Sequence, residues 1–361
     1  MPAWDFVSAP TTLRVRFVAP SVPILLHSLG LLSEAESLSG LPDWVYKTHQ
    51  ALTEAQRYEN RLCDLLMPGV ISSLSGGFVS FPQYIQQIEA TPSEALREEA
   101  IFWLQDSPHF PGMRAVLADE QVFLSVVRRH YAEKGVDVDE ALWRDAYAHL
   151  LQPARAKERL LAHLRFMWDN FLRVEWARAE RQLQEVVKAH NQVNYDGQPW
   201  GDVIEQVTNR DLRQQERLID YFSTATILTC IPTPHLGPYV SYYMKREAEE
   251  VLLFFGARLP RGNVRSPELD RADLLVRLNA LADETRLRMV ELLAQREEIC
   301  AQDFMSLLEL SQSSASRHLR QLTASGFLTE RRRDVAKCYS LNRDRVADTI
   351  KTLSHLLGGE T

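Results

Sequence analysis

Residues 310–326, LSQSSASRHLRQLTASG, constrain the fold more than any other stretch of this 361-residue chain. Serines and a glutamine lead into a short run whose apolar anchors are Leu319 and Leu322, and Gly326 closes it. Ser311 can cap the free backbone N–H groups of a helix, and glycine ends helices because it takes positive φ without a Cβ clash. A helix this short, with so narrow an apolar stripe, is marginal on its own. It must dock through Leu319 and Leu322 and leave its polar side outward.

The flanking segments supply what it docks on. LLVRLNALADETRLRMVELLAQ (274–295) reads as two helices broken near Asp283, which can cap the second; Leu287, Val290, Leu292 and Leu293 are its expected buried face. AQDFMSLLEL (301–310) is a short helix with Phe304, Leu307 and Leu308 inward. FLTERRRDVAKCYSLN (327–342) alternates around a charged tip, as a two-stranded hairpin does, and an amphipathic helix follows from about Arg343 to Leu357. Helix, helix, helix, turn, helix, hairpin, helix is the order of a winged helix-turn-helix.

Charge points the same way. The chain carries a formal net charge of −7, which argues against indiscriminate nucleic-acid binding. Between Ser311 and Lys337, however, six cations (Arg317, Arg320, Arg331, Arg332, Arg333, Lys337) face two anions (Glu330, Asp334). Such a local basic patch is what phosphate contact needs at a short Debye length. Ser311, Gln312, Ser313, Ser314 and Ser316 are small or polar and let a helix start approach a groove closely; Gln312 can pair with adenine, and Arg317 can reach guanine or phosphate. His318 and Arg320 belong to the same candidate surface, and Arg331, Arg332, Arg333 and Lys337 are placed on a wing against backbone or minor groove.

LNALADETRLRMVELL together with LSQSSASRHLRQLTASGFLTERR resembles the ArsR-type winged-helix repressors, over roughly residues 270–357. The resemblance implies double-stranded DNA as partner, a homodimer formed through the first and last helices of this region, a palindromic operator, and repression altered by an effector. Metal-sensing members carry a Cys-x-Cys pair at the start of the third helix. Here the matching stretch is ICAQD, with Cys300 present and Gln302 where the second thiolate would stand, and one soft ligand does not make a site. Asp348 and His355 lack the spacing of the family's other metal site. No metal and no cofactor are therefore expected. Cys63, Cys230, Cys300 and Cys338 form no Cys-x-x-Cys pair and read as reduced thiols of a cytoplasmic protein, Cys300 as a small buried residue and Cys338 as a structural one.

The first 259 residues read as a separate, mostly helical domain, with a linker at 260–269 and the winged domain at 270–361. TPSEALREEAIFWL (91–104) suggests a helix with Thr91 as N-cap, Pro92 at the first position and Glu94 in a capping box. Further helices are expected at 114–133 and 139–151, and a long one, bent if anything, over 153–192. LRVRFV (13–18), STATILTCIP, PYVSYYM and EVLLFFGARL are strand candidates for one small antiparallel sheet, so that the chain as a whole is α+β and mainly α. APSVPILLHSLGLL, WDNFLRVEWARAERQLQEV and PTPHLGPYVSYYM resemble the N-terminal region, DUF5937-like, that accompanies some ArsR-type regulators.

No Gly-rich phosphate loop, nucleophile elbow or His-Glu-x-x-His is present, so no enzyme activity is expected. Nor is a membrane partner, since there is no run of eighteen apolar residues. This region reads as a sensory or dimerisation part, with Trp168, Trp176, Tyr239, Tyr242 and Phe254 as candidates to line a pocket for a small-molecule effector and core packing as the competing role. The alternative overall is an enzyme or ligand-binding protein whose winged helix is a protein-interaction module.

Overall fold

The computed structural model describes residues 13–38, 40–66, 79–102, 104, 110–132, 138–245, 249–260, 267–333 and 336–358, except for the side chains of 267–273, Arg332 and His355. The described chain forms two compact units. One is built from 20–35 and 43–179; the other brings together the residues up to Ala19, Glu36–Pro42 and those from Glu180 onward. Most of the expected linker, 261–266, lies outside the described residues.

The first unit is helical: α1 (Ser21–Ser33), α2 (Asp43–Ala51), α3 (Glu54–Leu66), α4 (Phe81–Ala90), α5 (Ser93–Ala100), α6 (Met113–Ala118), α7 (Glu120–Ala132), α8 (Glu140–Leu150) and α9 (Pro153–Met167). Three local expectations change. Thr91 caps the end of α4 rather than the start of α5: its N–H and its hydroxyl both donate to Gln87 O, and α5 starts one residue later than its capping pattern suggests, with Pro92 as N-cap. The helix expected over 114–133 is split at Asp119, whose backbone is extended and whose carboxylate accepts from Gln121 N–H at 2.7 Å. The long helix over 153–192 is interrupted by a π-helical turn at Trp168–Leu172 before α10 (Arg173–His190) resumes, an interruption of the kind at which long helices change direction. Trp168, at that turn, stacks on Phe81 with ring centroids 5.3 Å apart. Arg159 of α9 forks onto Glu59 of α3 at 2.6–2.8 Å, and His163 meets Asn60 at 3.0 Å, so the polar groups between these helices are matched rather than stranded.

The second unit contains a four-stranded sheet in the order β1 (Arg14–Phe17), β2 (Ile227–Thr233), β4 (Glu250–Gly256), β3 (Val240–Lys245). All four strand candidates are strands, but the sheet is not antiparallel. β1 and β4 both run parallel to β2, and only β3 pairs antiparallel, with β4. Leu228–Thr233 of β2 and Glu250–Phe255 of β4 are buried without alternation. That is the mark of central strands covered on both faces, and parallel pairing is normally found there. The covering apolar residues include Val186 of α10, Val203, Ile204 and Val207 of α11 (Trp200–Thr208), and Leu218 and Tyr221 of α12 (Glu216–Phe222). Gly237 is needed in this region: its φ is +60°, and a Cβ there would come within 2.5 Å of Gly40 O.

Behind the sheet strand β1, His190 is fully buried and stacks on Phe17 with centroids 4.4 Å apart. Its Nε2 must donate to Arg258 O at 2.9 Å, because a carbonyl only accepts, so Nδ1 accepts from the Tyr195 hydroxyl at 3.0 Å.

The C-terminal part has the expected winged helix-turn-helix order: α13 (Pro267–Leu281), α14 (Glu284–Gln295), β5 (Ile299–Cys300), α15 (Ala301–Leu308), α16 (Gln312–Ala324), β6 (Leu328–Arg333), β7 (Ala336–Leu341) and α17 (Arg343–Leu356). The three strands pair in the order β5-β7-β6. Met289, Leu293, Ile299, Phe304, Leu319, Leu322, Phe327, Leu328 and Tyr339 form its core. Two expected core positions face out instead: Leu287 is 45% and Leu307 43% exposed. Met289 takes the inward position on α14. Gly326, at φ +84°, terminates α16, and a Cβ there would press on Arg345 Nε at 3.0 Å.

Burial pushes His190 down to about 4, with the Arg258 carbonyl opposing only partly. A depressed imidazole binds its proton more readily when unfolded, so it makes stability fall as pH drops from 6.5 towards 4. The expected loss from this residue is up to about 3 kcal/mol. Urea unfolding followed from pH 7 to pH 4.5 checks it: wild type loses stability steeply and His190→Phe much less. Parallel curves for the two proteins contradict the assignment.

Candidate nucleic-acid interface

The geometry of α16 follows from its two faces. Ala315, His318, Leu319, Gln321, Leu322 and Ala324 are buried, while Gln312, Ser313, Ser316, Arg317 and Arg320 are exposed. The exposed set recurs at four-residue intervals and therefore forms one stripe along the helix. Ser311 is the N-cap, its hydroxyl accepting from Ser314 N–H at 3.2 Å, and it also lies 3.2 Å from the Ser313 hydroxyl. Ser314 is half-buried beside this cap. The first turn thus presents free N–H groups flanked by short polar side chains, a favourable end for an anion. Arg317 and Arg320 make no ion pair among the described residues.

His318 departs from the expected set. It is only 7% exposed, with Nδ1 3.6 Å from Asp283 Oδ1, too long for a hydrogen bond. Burial lowers its pKa against the pull of Asp283, so the ring is neutral near pH 7. A base contact would require the ring to leave this position. Asp283 does three things at the root of the helix pair. It caps α14 by accepting from Arg286 N–H at 3.0 Å, it approaches the Arg286 guanidinium at 3.7 Å, and it faces His318. Burial alone would raise its carboxyl, but the Arg286 hydrogen bond and charge hold it below the usual range.

The wing cations are not equivalent. Arg331 donates through Nε and Nη2 to Glu298, the latter contact at 2.9 Å, and Lys337 pairs with Glu330 at 3.1 Å. All the same, Arg331 and Lys337 stay about 60% exposed at 61% and 59%, so their outer sides remain open to a phosphate. Arg333 is exposed. The side chain of Arg332 lies outside the described residues.

Sequence reasoning missed one cluster altogether. Cys300 and Cys338 are not separate thiols: they stand opposite each other across β5 and β7 and are bonded as a disulfide. Cys300 is also partly exposed rather than buried. No local signal in the sequence gives this meeting: the hairpin register pairs Cys338 with Arg331, and Cys300 joins it only through the separate β5–β7 pairing. Glu298 lies beside them, its carboxylate and both sulfurs within 4.8 Å of one another, a donor set of the kind that holds a metal ion. As they stand, the sulfurs are spent on each other and offer no thiolate. Cys63 and Cys230 are free and buried.

The candidate effector residues are divided between the two units. Trp168 and Trp176 lie along the α9–α10 segment of the helical unit; in the other, Tyr242 and Phe254 lie on β3 and β4, and Tyr239 directly precedes β3. Phe254 has no exposed surface and meets Tyr243 edge-on at 5.8 Å, while Tyr242 meets Tyr221 edge-on at 6.2 Å, both ordinary core packing. Among the described residues, no helix is long and apolar enough to cross a membrane.

A family model described as bacterial regulatory protein, arsR family, matches residues 283–330, from the Asp283 cap to the start of the wing. The chain is similar to the arsenic resistance transcriptional regulator ArsR1 of Pseudomonas putida, at 45% identity over 62 residues, covering 17% of this chain and 48% of that protein. It is 48% identical over 52 residues to the arsenical resistance operon repressor of Escherichia coli, covering 14% and 44%. To the transcriptional activator HlyU of Vibrio cholerae it is 33% identical over 94 residues, covering 26% of this chain and 86% of HlyU. The chain spans about half the length of the first curated relatives it matches. The solved structure of NolR from Sinorhizobium fredii aligns with 31% identity over 26% of this chain and 96% of that one, with a TM-score of 0.21.

Replacing Asp283 by alanine removes the α14 cap and the carboxylate that Arg286 and His318 face. The expected cost is about 1–2 kcal/mol. Amide hydrogen exchange of α14 and α16 in the full chain along a urea series reads it, and unchanged protection would deny Asp283 this role.

Proposed function

The chain belongs to the arsR family of bacterial regulatory proteins, and from that membership we propose that it is a sequence-specific DNA-binding transcriptional regulator acting as a repressor. The observation that carries this reading is the exposed stripe Gln312, Ser313, Ser316, Arg317 and Arg320 on a helix whose other face is locked into a core. A helix so mounted enters the major groove with its N-terminal side chains at the base edges. Arg331, Arg332, Arg333 and Lys337 follow the phosphate backbone, and Ser311 and Ser314 keep the helix start shaped for close approach. His318 supports the helix from within and does not read bases.

We further propose a homodimer on a palindromic operator, joined through α13 and α17. Leu275 on α13, Ile350 and Leu356 on α17, and Leu357 just beyond it are 51–75% exposed, too much apolar surface on two adjoining helices to be left in water without a partner. These helices are already fixed together by the buried Arg277, which donates to Asp348 at 2.7 Å and Thr349 at 3.3 Å. Two helix-turn-helix units related by a twofold axis read two half-sites. The remaining 259 residues are assigned a sensory role for a small-molecule effector, and the protein works in the cytoplasm, where its DNA is. Catalysis forms no part of this reading.

Fluorescence anisotropy on DNA from upstream of the protein's own gene, against scrambled DNA over a salt series, tests the proposal. Wild type should prefer the upstream DNA, with affinity falling as salt rises. Arg317→Ala should cost about 1–3 kcal/mol on the preferred DNA and relax the preference. Arg333→Ala should weaken both DNAs alike and reduce the salt slope by about one. Equal affinity of wild type and an Arg317→Ala/Arg320→Ala double variant for the upstream DNA would sink the mechanism.

A further inference from the structure

The cysteine pair at the root of the wing is unused by the function above. Cys300, Cys338 and Arg331 stand in register across β5, β7 and β6. Directly opposed residues of antiparallel strands project to one face, and Glu298, two positions before Cys300, is brought to the same place. Its carboxylate lies within 4.8 Å of both sulfurs and accepts from Arg331. Cys338 has no exposed surface, and Cys300 is partly exposed. The disulfide therefore sits beside an ion pair that holds one of the wing's phosphate-binding cations. It also joins two working parts: Cys300 is the N-cap of α15, the helix before α16, and Cys338 is in the returning strand of the wing.

We propose that Cys300–Cys338 is a thiol–disulfide exchange site, oxidised by small-molecule disulfides, whose state sets how freely Arg331 reaches DNA. This rests on the DNA-binding reading of the wing. A protein that works on DNA in a bacterial cell meets a pool that keeps thiols reduced, and a disulfide there is a sensing or transient one rather than a permanent brace. In the forward step one cysteine, as thiolate, attacks the small disulfide, forming a mixed disulfide and releasing one small thiol. The second cysteine then attacks the mixed disulfide, forming the Cys300–Cys338 bond and releasing the other. The two cysteines lose two electrons and two protons, and the small disulfide gains them.

β5 is only two residues long, and its two register partners are Tyr339 and Cys338. The disulfide locks it to β7 and so holds Glu298 beside Arg331. With two thiols, β5 is held to the wing by pairing alone, Glu298 can part from Arg331, and the guanidinium is free for phosphate. A soft cation is the other chemistry these groups could take. The structure favours exchange, because the sulfurs are bonded to each other and the carboxylate is occupied by Arg331.

The test uses the full chain equilibrated in mixtures of reduced and oxidised glutathione. Free thiols are alkylated and the 300 and 338 peptides weighed; amide hydrogen exchange of β5–β7 and DNA anisotropy are read on the same samples. The expected results are one two-electron transition, faster β5–β7 exchange on reduction, and DNA binding at least about fivefold tighter in the reduced form. Cys300→Ala should abolish the redox dependence of both readouts, and Glu298→Gln should bring the oxidised protein's affinity close to that of the reduced one. The proposal is overturned if both cysteines alkylate at every glutathione ratio, if a large excess of reduced glutathione leaves them bonded, or if β5–β7 exchange is the same in the two states. One cadmium ion bound per chain with thiolate charge-transfer absorption, and no disulfide at any ratio, would also overturn it in favour of a cation site. If DNA preference is missing in every state and variant, the DNA reading fails, while alkylation and hydrogen exchange still decide the cysteine pair.

Discussion

The helix α16 can turn a polar stripe outward only because its inner face is clamped. Leu319 and Leu322 enter the core with Phe304, Phe327 and Tyr339, and each is essentially without exposed surface except Tyr339, which retains 5%. Burying a leucine side chain contributes roughly 1.5–3 kcal/mol, more than capping and propensity contribute together over so short a helix. Everything proposed for the C-terminal part depends on that clamp. Without it the serines, the glutamine and the two arginines would belong to a frayed segment with no fixed spacing. With it they form a rigid edge, and a rigid edge loses little conformational entropy on binding.

The electrostatics are arranged around the same helix. Asp283 caps one helix, faces Arg286 and lies beside the neutral His318, so its charge is answered locally on the protein side. Arg317 and Arg320 on the outer side have no such answer among the described residues. On the wing, by contrast, Arg331 and Lys337 are already matched by Glu298 and Glu330. The cations of these pairs face water while their carboxylates are largely shielded, at 15% and 21% exposed, so a phosphate has to compete with a partner already in place. The proposed DNA contact works against the net charge of −7 of the whole chain and therefore depends on this local basic edge.

The helical unit and the mixed sheet are organised by different rules. The helices meet through matched polar groups, such as the Arg159–Glu59 fork and the Asn60–His163 contact, set among apolar faces. The sheet is covered on both sides, and its β1 strand is pinned by Arg16, which donates to Thr229 and to the buried Glu250 at 2.6 Å each. A strand from near the start of the chain thereby joins strands more than two hundred residues later, which ties the sheet to the folding of what lies between them.

Local chemistry decided much of this protein from the sequence alone. The Ser311 and Asp283 caps, the Gly326 stop, the Leu319 and Leu322 anchors, the charged hairpin and the existence of every sheet strand named beforehand follow from period, capping and turn residues within a few positions of one another. Pairings between distant residues were decided only by the tertiary structure. The parallel direction of β1 and β4 against β2, the inward turn of His318, the outward turn of Leu287 and Leu307, and the meeting of Cys300 with Cys338 each depend on what lies across the gap rather than along the chain. The apolar run Val251–Phe255 of β4 has the pattern of a strand covered on both faces, but β2, with Thr229, Pro232 and Thr233, carries no such run. No local pattern, however, carries the register that sets one cysteine opposite another thirty-eight residues away, because register is fixed by packing and by the neighbouring strand.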